Sequence, residues 1–537
     1  MSLSIVFDNR TFEVSSNAAA TPEELAIPGY EDLAIYRLPA GDTRVKHALE
    51  DPEFYRHGWN SWSPTAWRKL SDYPWRVWNN PGRSRTAEDP ITDAVDTHRG
   101  YQVGALSFAD SKVMLLGSLS RGGALVEADS RAMRGIVPTS AGPFNIEGGS
   151  SAEGEPWVLI LGDELRAFEA YGKLLADALD VAPRASQKIA QRGAAPVWSS
   201  WYSWFEEITQ EIISAEISHA AKAGYSVLEI DDGWEESVGT WEPNADFPDL
   251  PGLARQIREA GLRPGIWVSP FIAKADSYLV RNHPDWLVKE PDSDEPIDAG
   301  FNWGTRLYAL DTTHPQALEW VKDIFTELRS WGFDYFKTDF IYAAAMPGRR
   351  YADVPREEAY MRGIQAIRDA VGEDAYLLGS GGLPAASLGI LDGMRMGPDT
   401  APYWDNMDRY RDPSGPAVAN ALRNSLSRFW WKPWIDTDPD VALVRTRGSL
   451  LSPEVNRLTL DAAIACGTFG CSDPGQWLTD TERSVLMDAI SDAKKEAEGE
   501  LAITQTGRYT FTIGERVVDF DQWLNPKGRI SDRLLVK

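Results

Sequence analysis

Lys337 and Asp339 stand two residues apart in the stretch DYFKTDF (334–340). In an extended strand, residues i and i+2 share a face. Tyr335, Phe336 and Phe340 call for burial, so an ammonium and a carboxylate are placed together in apolar surroundings, where a charge needs a partner or a chemical task. Similar charges close other short apolar runs: Asp231 and Asp232 in EIDDGW, Arg395 and Asp399 in GMRMGPD, Asp436 and Asp438 in WIDTD. Trp59, Trp62, Trp201, Trp234 and Trp267 lie in or near comparable stretches. Acids, cations and indoles without metal ligands suit hydrolysis of a glycosidic bond, which uses one carboxyl at the anomeric carbon and another to protonate the leaving oxygen. Asp339 then serves as nucleophile, kept ionised by Lys337. Asp399 serves as proton donor from a different strand, with Arg395 near it to bind the ring. Each piece also has a plainer reading: a Lys–Asp ion pair, an Asp-Gly turn at 232–233, an N-cap at Asp399. Their joint placement at the same end of three strands favours chemistry.

Those strands need a scaffold. Between 196 and 473, eight short apolar segments alternate with amphipathic helical stretches such as TQEIISAEISHAAKAG and REEAYMRGIQAIRDAVG. Eight is the number that closes a (β/α)8 TIM barrel, whose chemistry sits at the C-terminal ends of its strands. A doubly wound sheet would carry a G-x-G-x-x-G turn after an early strand, and no such turn is present. Residues 1–190 read instead as an N-terminal β-sandwich: runs such as SIVFDNRTFEVS and PWVLILG are separated by turn residues, then followed by a helix at 165–180 and a connector at 181–196. The expected division is therefore multidomain: sandwich, helix and linker over 1–190, barrel over 191–492, and a small C-terminal β element over 493–537.

Composition narrows the partners. The 537 residues exceed one ordinary core. A net charge of −26 argues against nucleic acid and against anionic membranes. No run is long and apolar enough to span a bilayer, and the start MSLSIVFDNRTFEV lacks a signal-peptide pattern, so a cytoplasmic protein is expected. The six histidines are scattered, and the two cysteines, Cys466 and Cys471, cannot form a disulfide framework. Neither a metal nor a cofactor is expected. The 22 tryptophans suit either sugar-ring faces or a large core.

Taken in order, EIDDGW, GIWVSPF, YFKTDF, GMRMGPDTAPYW and WIDTDPDVALVR resemble glycoside hydrolase clan D, and within it family 36, the α-galactosidases. FYRHGWNSWSP (54–64) resembles the sandwich segment that lends the family's site a tryptophan. The resemblance implies a retaining exo-α-galactosidase acting on small oligosaccharides of the melibiose or raffinose type, with room for a homo-oligomer. It makes Asp339 the nucleophile and Asp399 the acid/base. Asp231 and Asp232 would grip the O4 and O6 side of galactose, and Lys337 and Arg395 the ring hydroxyls. Trp201 and Trp267 would line the pocket, with Trp62, or else Trp59, arriving from the sandwich. Arg306 would supply another contact. Where the family often has cysteine near the sugar O2, LLGSGGLP has Ser380. That leaves galactose, its 2-acetamido analogue and a related pentose open, as it leaves transglycosylation beside hydrolysis.

Overall fold

The computed structural model describes residues 2–17, 21–75, 77, 86–89, 97–109, 111–137, 156–184, 196–406 and 413–525. The 190/191 boundary, most of the 181–196 connector and residues 526–537 lie outside the described residues.

Two antiparallel sheets occupy the N-terminal part. One has six strands and contains Ser2–Phe7, Arg10–Ser16, Thr43–Lys46 and Ala132–Ile136; the other has seven and contains Trp157–Asp163, Lys112–Ser118, Val103–Phe108 and Glu53–Arg56. Phe12, Val14 and Val45 of the first pack in one core with Leu106, Met114, Trp157 and Leu159 of the second. Alternate residues of the second sheet, Val113, Leu115, Val158 and Ile160, join the larger core that holds Phe168 and Tyr171 of the helix Glu164–Ala178. PWVLILG is apolar at successive positions because its strand is covered on both faces. The helix begins at Asp163, whose carboxylate accepts the N–H groups of Leu165 and Arg166, a normal N-cap.

The eight expected barrel strands are present, parallel and in chain order: Val197–Ser199, Val227–Ile230, Arg263–Val268, Tyr335–Thr338, Tyr376–Gly379, Gly393–Arg395, Asp436–Asp438 continued by Val441–Ala442, and Gly470–Cys471. Strand eight pairs back to strand one through Val197↔Gly470 and Trp198↔Cys471, which gives a TIM-like barrel. Strand seven is broken at Asp440, whose backbone is left-handed (φ 78°). Between strands three and four an antiparallel excursion, Ile272–Lys274, Asp298–Asn302 and Thr305–Ala309, stands over the C-terminal ends.

A three-stranded antiparallel sheet, Ile503–Gly507, Thr510–Ile513 and Arg516–Asp519, follows the barrel. The expected boundary at 492/493 falls inside the helix Asp480–Ala497. Arg508 ties this sheet to the N-terminal part through Glu164 (2.7 Å) and Glu53 (2.7 Å). Among the described residues no helix is long and apolar enough to cross a membrane. Both cysteines are free and buried.

Candidate active site

A cavity of about 460 Å³ opens at the C-terminal ends of the barrel strands, the end where such barrels place their chemistry. It is lined by Asp231 and Asp232 beyond strand two, Trp267 of strand three, Lys337 and Asp339 at strand four, and Asp399 beyond strand six. Trp201, which opens a short helix after strand one, and Trp62, from the N-terminal part, complete this set.

Trp62 arrives on a stitched loop. The Asn60 side chain accepts the N–H groups of Trp62 (2.9 Å) and Ser63 (3.0 Å). Ser61 N–H donates to Gly382 O (2.8 Å), and Gly381 N–H donates to Ser61 Oγ (3.0 Å). Gly381 is left-handed (φ 71°), and a Cβ there would sit 3.3 Å from the Trp62 ring, so both backbone and contact favour glycine. Arg428, fully buried, donates to the carbonyls of Asn60 (2.7 Å), Ser61 (2.7 Å), Ser63 (3.2 Å) and Met396 (2.9 Å). Burial pushes its guanidinium down to about 9. Trp59 is buried against Tyr342 and does not line the cavity.

Asp339 presents its carboxylate between fixed donors. Trp267 Nε1 donates to Oδ2 at 3.0 Å, and Phe340 N–H donates to Oδ1 at 3.0 Å. Phe340 is left-handed (φ 54°), a conformation that costs a bulky residue energy and tends to persist at functional sites. Ser380 also favours the ionised form of Asp339, and its Oγ accepts Trp62 Nε1 at 3.0 Å. Ser380 is buried and is not among the cavity-lining residues.

Lys337 lines the cavity and pairs most closely with strand two. Its Nζ lies 2.6 Å from Asp231 Oδ2 and 3.9 Å from Glu229 Oε1. Burial works against the ammonium, but those two carboxyls raise its pKa overall. Burial also raises the Asp339 carboxyl above its usual range, with Lys337, Trp267 and Ser380 only partly offsetting it. Lys337 favours the ionised form of Asp339, as its proximity on the strand suggested, yet desolvation wins. For Asp231, burial is outweighed by Lys337, so its pKa is lowered. Glu229 is pushed well up by burial, with Asp231 adding to the rise; Ser199 Oγ donates to Glu229 (3.1 Å) and Asp231 (3.3 Å). Asp232 is likewise raised by burial and then by Glu235, while Trp303 Nε1 donates to its Oδ2 at 2.9 Å.

Arg395 splits its guanidinium among three carboxylates. Nη1 reaches Asp399 Oδ1 (3.2 Å), Nε reaches Asp438 Oδ2 (3.1 Å), and Nη2 reaches Asp440 Oδ1 (2.9 Å). Arg395 itself is buried behind the wall, whereas the Asp399 side chain is 39% exposed. Burial pushes Asp440 up to about 7, against the pull of Arg395.

Arg306 is placed elsewhere. On the central strand of the excursion, its side chain is 61% exposed and 3.5 Å from Asp298, and it does not line the cavity. Asp436, the first acid of strand seven, faces Arg184 (2.7 Å) and Tyr376 (3.0 Å) instead. Trp303, Phe301 and Phe340 line the cavity without having been expected there. Trp303 sits in a turn of the excursion with no periodic signal. Glu229, by contrast, shares a strand face with Asp231 at i, i+2 and was readable from that spacing.

A family model described as Melibiase matches residues 184–374. The solved structure of an α-galactosidase from Thermus thermophilus, in complex with p-nitrophenyl α-D-galactopyranoside, superposes with a TM-score of 0.82 at 36% identity, covering 97% of this chain and 99% of that one. α-Galactosidase AgaA of Geobacillus stearothermophilus is 28% identical over 188 residues, 32% of this chain and 25% of that protein. An A type blood α-D-galactosamine galactosaminidase of Flavonifractor plautii is 29% identical over 155 residues, 27% of this chain and 14% of that protein. The matched stretches therefore span a quarter or less of these two curated relatives' own length.

Proposed function

We infer the chemistry from the premise that this chain belongs to glycoside hydrolase family 36, the α-galactosidases: it removes terminal α-D-galactosyl residues from small oligosaccharides with retention of anomeric configuration. The observation that carries this reading is the meeting of Asp339 and Asp399 in one cavity, each on a different strand end and each with its own set of donors.

Asp339 acts as the nucleophile. Its Oδ atoms are held by the indole of Trp267 and the N–H of Phe340, which aims the carboxylate without a mobile counter-ion. Its Oδ–C1 bond forms as the C1–O bond to the leaving group breaks. Asp399 gives its proton to the departing oxygen, then takes a proton from the water that attacks C1 and frees Asp339. Burial holds the Asp339 carboxyl above its usual range, so the negative charge is poorly solvated and reactive towards an electron-poor C1.

Asp231, its pKa lowered through Lys337, accepts from sugar hydroxyls, beside Asp232, whose carboxyl burial and Glu235 raise. This pair, with Lys337, reads the O4 and O6 side of the ring, and Trp62, Trp201, Trp267 and Trp303 offer the apolar faces on which a pyranose packs. The two N-terminal sheets are a β-sandwich whose contribution to the reaction is Trp62. Ser380, behind Asp339, tunes the nucleophile rather than touching O2. Arg395 acts through Asp399.

The test is hydrolysis of 4-nitrophenyl α-D-galactopyranoside by the wild type and by Asp339→Ala, with azide added to the variant and the anomer followed by NMR. Activity in the wild type, its loss in the variant and formation of β-galactosyl azide are expected. An active Asp339→Ala, or a wild type silent on this substrate, overturns the reading.

A further inference from the structure

We propose that Asp440 is a positioning residue for the protonation step: from behind the cavity wall it fixes both the cation that faces Asp399 and the backbone that carries it. The inference rests on the reading of Asp399 as acid/base.

Asp440 occupies the break in strand seven, where the chain takes a left-handed turn (φ 78°). A non-glycine residue holds that conformation only when its surroundings impose it. The turn directs the carboxylate inward, where it is 0% exposed and must find partners. Oδ2 accepts the Thr400 N–H at 2.7 Å and the Tyr202 hydroxyl. Oδ1 lies 2.9 Å from Arg395 Nη2, an ion pair without the alignment of a hydrogen bond. The Asp440 N–H donates to Asp438 Oδ1 at 2.8 Å, which ties together the two acids that share Arg395.

Thr400 follows Asp399 directly in the chain, so its bond to Asp440 anchors the peptide from which the Asp399 side chain springs. Arg395 Nη1 reaches Asp399 at 3.2 Å while Nε and Nη2 are occupied by Asp438 and Asp440. With two of its faces taken, the guanidinium offers Asp399 one long contact rather than a bidentate clamp. A full Arg–carboxylate fork would hold Asp399 as a flat, ionised pair, the wrong state for a proton donor. Asp440 prevents that fork from forming. Tyr202, on the short helix that also carries Trp201, closes the arrangement. Tyr202, Asp438 and Asp440 do not line the cavity, so their influence on the sugar passes through Arg395 and Asp399.

A displaced proton donor harms a reaction in proportion to its need for that proton. Nitrophenolate leaves with little help, whereas the sugar of melibiose leaves only as its hydroxyl. General acids contribute about 10²–10⁴-fold; Asp440→Asn is therefore expected to lose at least about tenfold more kcat/KM on melibiose than on 2,4-dinitrophenyl α-D-galactopyranoside. Tyr202→Phe, which keeps every carboxylate in place, is expected to show the same split at smaller size, and it carries the test if Asp440→Asn does not fold. Equal losses on both substrates in the folded variant overturn the proposal, since a loosened fold would scale both alike. Failure of the underlying reading shows differently, as a wild type inactive on both substrates.

Discussion

Replacing Lys337 with methionine keeps the volume of its stem and removes its charge. The structure sets the size of the effect. Nζ lies 2.6 Å from Asp231 Oδ2, and both side chains are almost wholly buried (6% and 2% exposed). At an effective dielectric near 20 that separation corresponds to about 6 kcal/mol of attraction. Glu229, pushed up by burial and by Asp231, lies farther from Nζ, at 3.9 Å, and adds less attraction. Desolvation offsets part of the gross figure, and removing one partner of a buried pair typically costs about 3–5 kcal/mol. The loss is pH-dependent. In the wild type the Asp231 pKa is lowered, so its contribution is present above the unfolded value of about 3.9 and fades below it. In Lys337→Met the same carboxyl is buried without its cation, its folded pKa rises, and the penalty applies only where the unfolded chain would be ionised. The gap between the two proteins should therefore narrow steadily from about pH 8 to about pH 5. Urea unfolding followed by far-UV circular dichroism measures it, with hydrogen exchange in the barrel strands identifying the transition that belongs to the barrel. A gap under about 1 kcal/mol at about pH 8, the size of an exposed pair, would refute the reasoning. So would a gap that stays constant with pH.

Two further outcomes are expected. Trp303→Phe keeps a ring over the cavity but removes the donor to Asp232; a lost hydrogen bond of about 1–1.5 kcal/mol should lower kcat/KM on α-galactosides roughly tenfold, and an unchanged value would mean that Trp303 does not help to set Asp232. Glu216, on the helix Gln210–Ala223, is pushed up to about 7 by burial while accepting the Gly475 N–H at 2.8 Å. An acid with a raised folded pKa supports the fold below its unfolded value and loses that support as pH rises through the folded one. Glu216→Gln should therefore unfold later than wild type at about pH 8, by up to about 3 kcal/mol, and equally near pH 4; a variant destabilised across the whole range would contradict this.

The barrel was legible because its strands, covered on both faces, read as short apolar runs whose charges collect at one end. The break in strand seven was signalled only by Pro439, which cannot donate to the ladder; the left-handed turn at Asp440 depends on its distant partners Thr400, Tyr202 and Arg395. Asp231, Asp232, Asp339 and Asp399 were brought together in the cavity as their placement at strand ends suggested, whereas Asp436 and Asp438 stand outside it. Which of them pair was harder to read. Spacing along one strand put Lys337 with Asp339, about 6.6 Å apart at the backbone. The barrel instead groups inward side chains from alternate strands into one layer, so Lys337 of strand four reaches past strand three to Glu229 and Asp231 of strand two. One level below, a Cβ on Gly265 would lie 2.9 Å from Tyr335 and 3.1 Å from the Glu229 backbone, so the missing side chain is what lets Tyr335 pack beside Glu229. Trp303 was invisible for a different reason: its position depends on the pairing of Thr305–Ala309 with Ile272–Lys274, a contact distant in the chain.

Arg428 has an implication for how such enzymes can be recombined. Among the described residues its guanidinium has no carboxylate opposite, and three of its four acceptors are the carbonyls of Asn60, Ser61 and Ser63, contributed by the N-terminal part. A barrel grafted onto a foreign N-terminal half would bury that charge with one acceptor left, at a cost well beyond an ordinary lost contact. The loop that delivers Trp62 is thus also the counterpart without which the barrel's own interior is unbalanced. Exchange of the N-terminal part is therefore demanding: a donor must bring a backbone that follows residues 60–63 in register, and one that does so also sets position 62, where the indole stands, at the cavity.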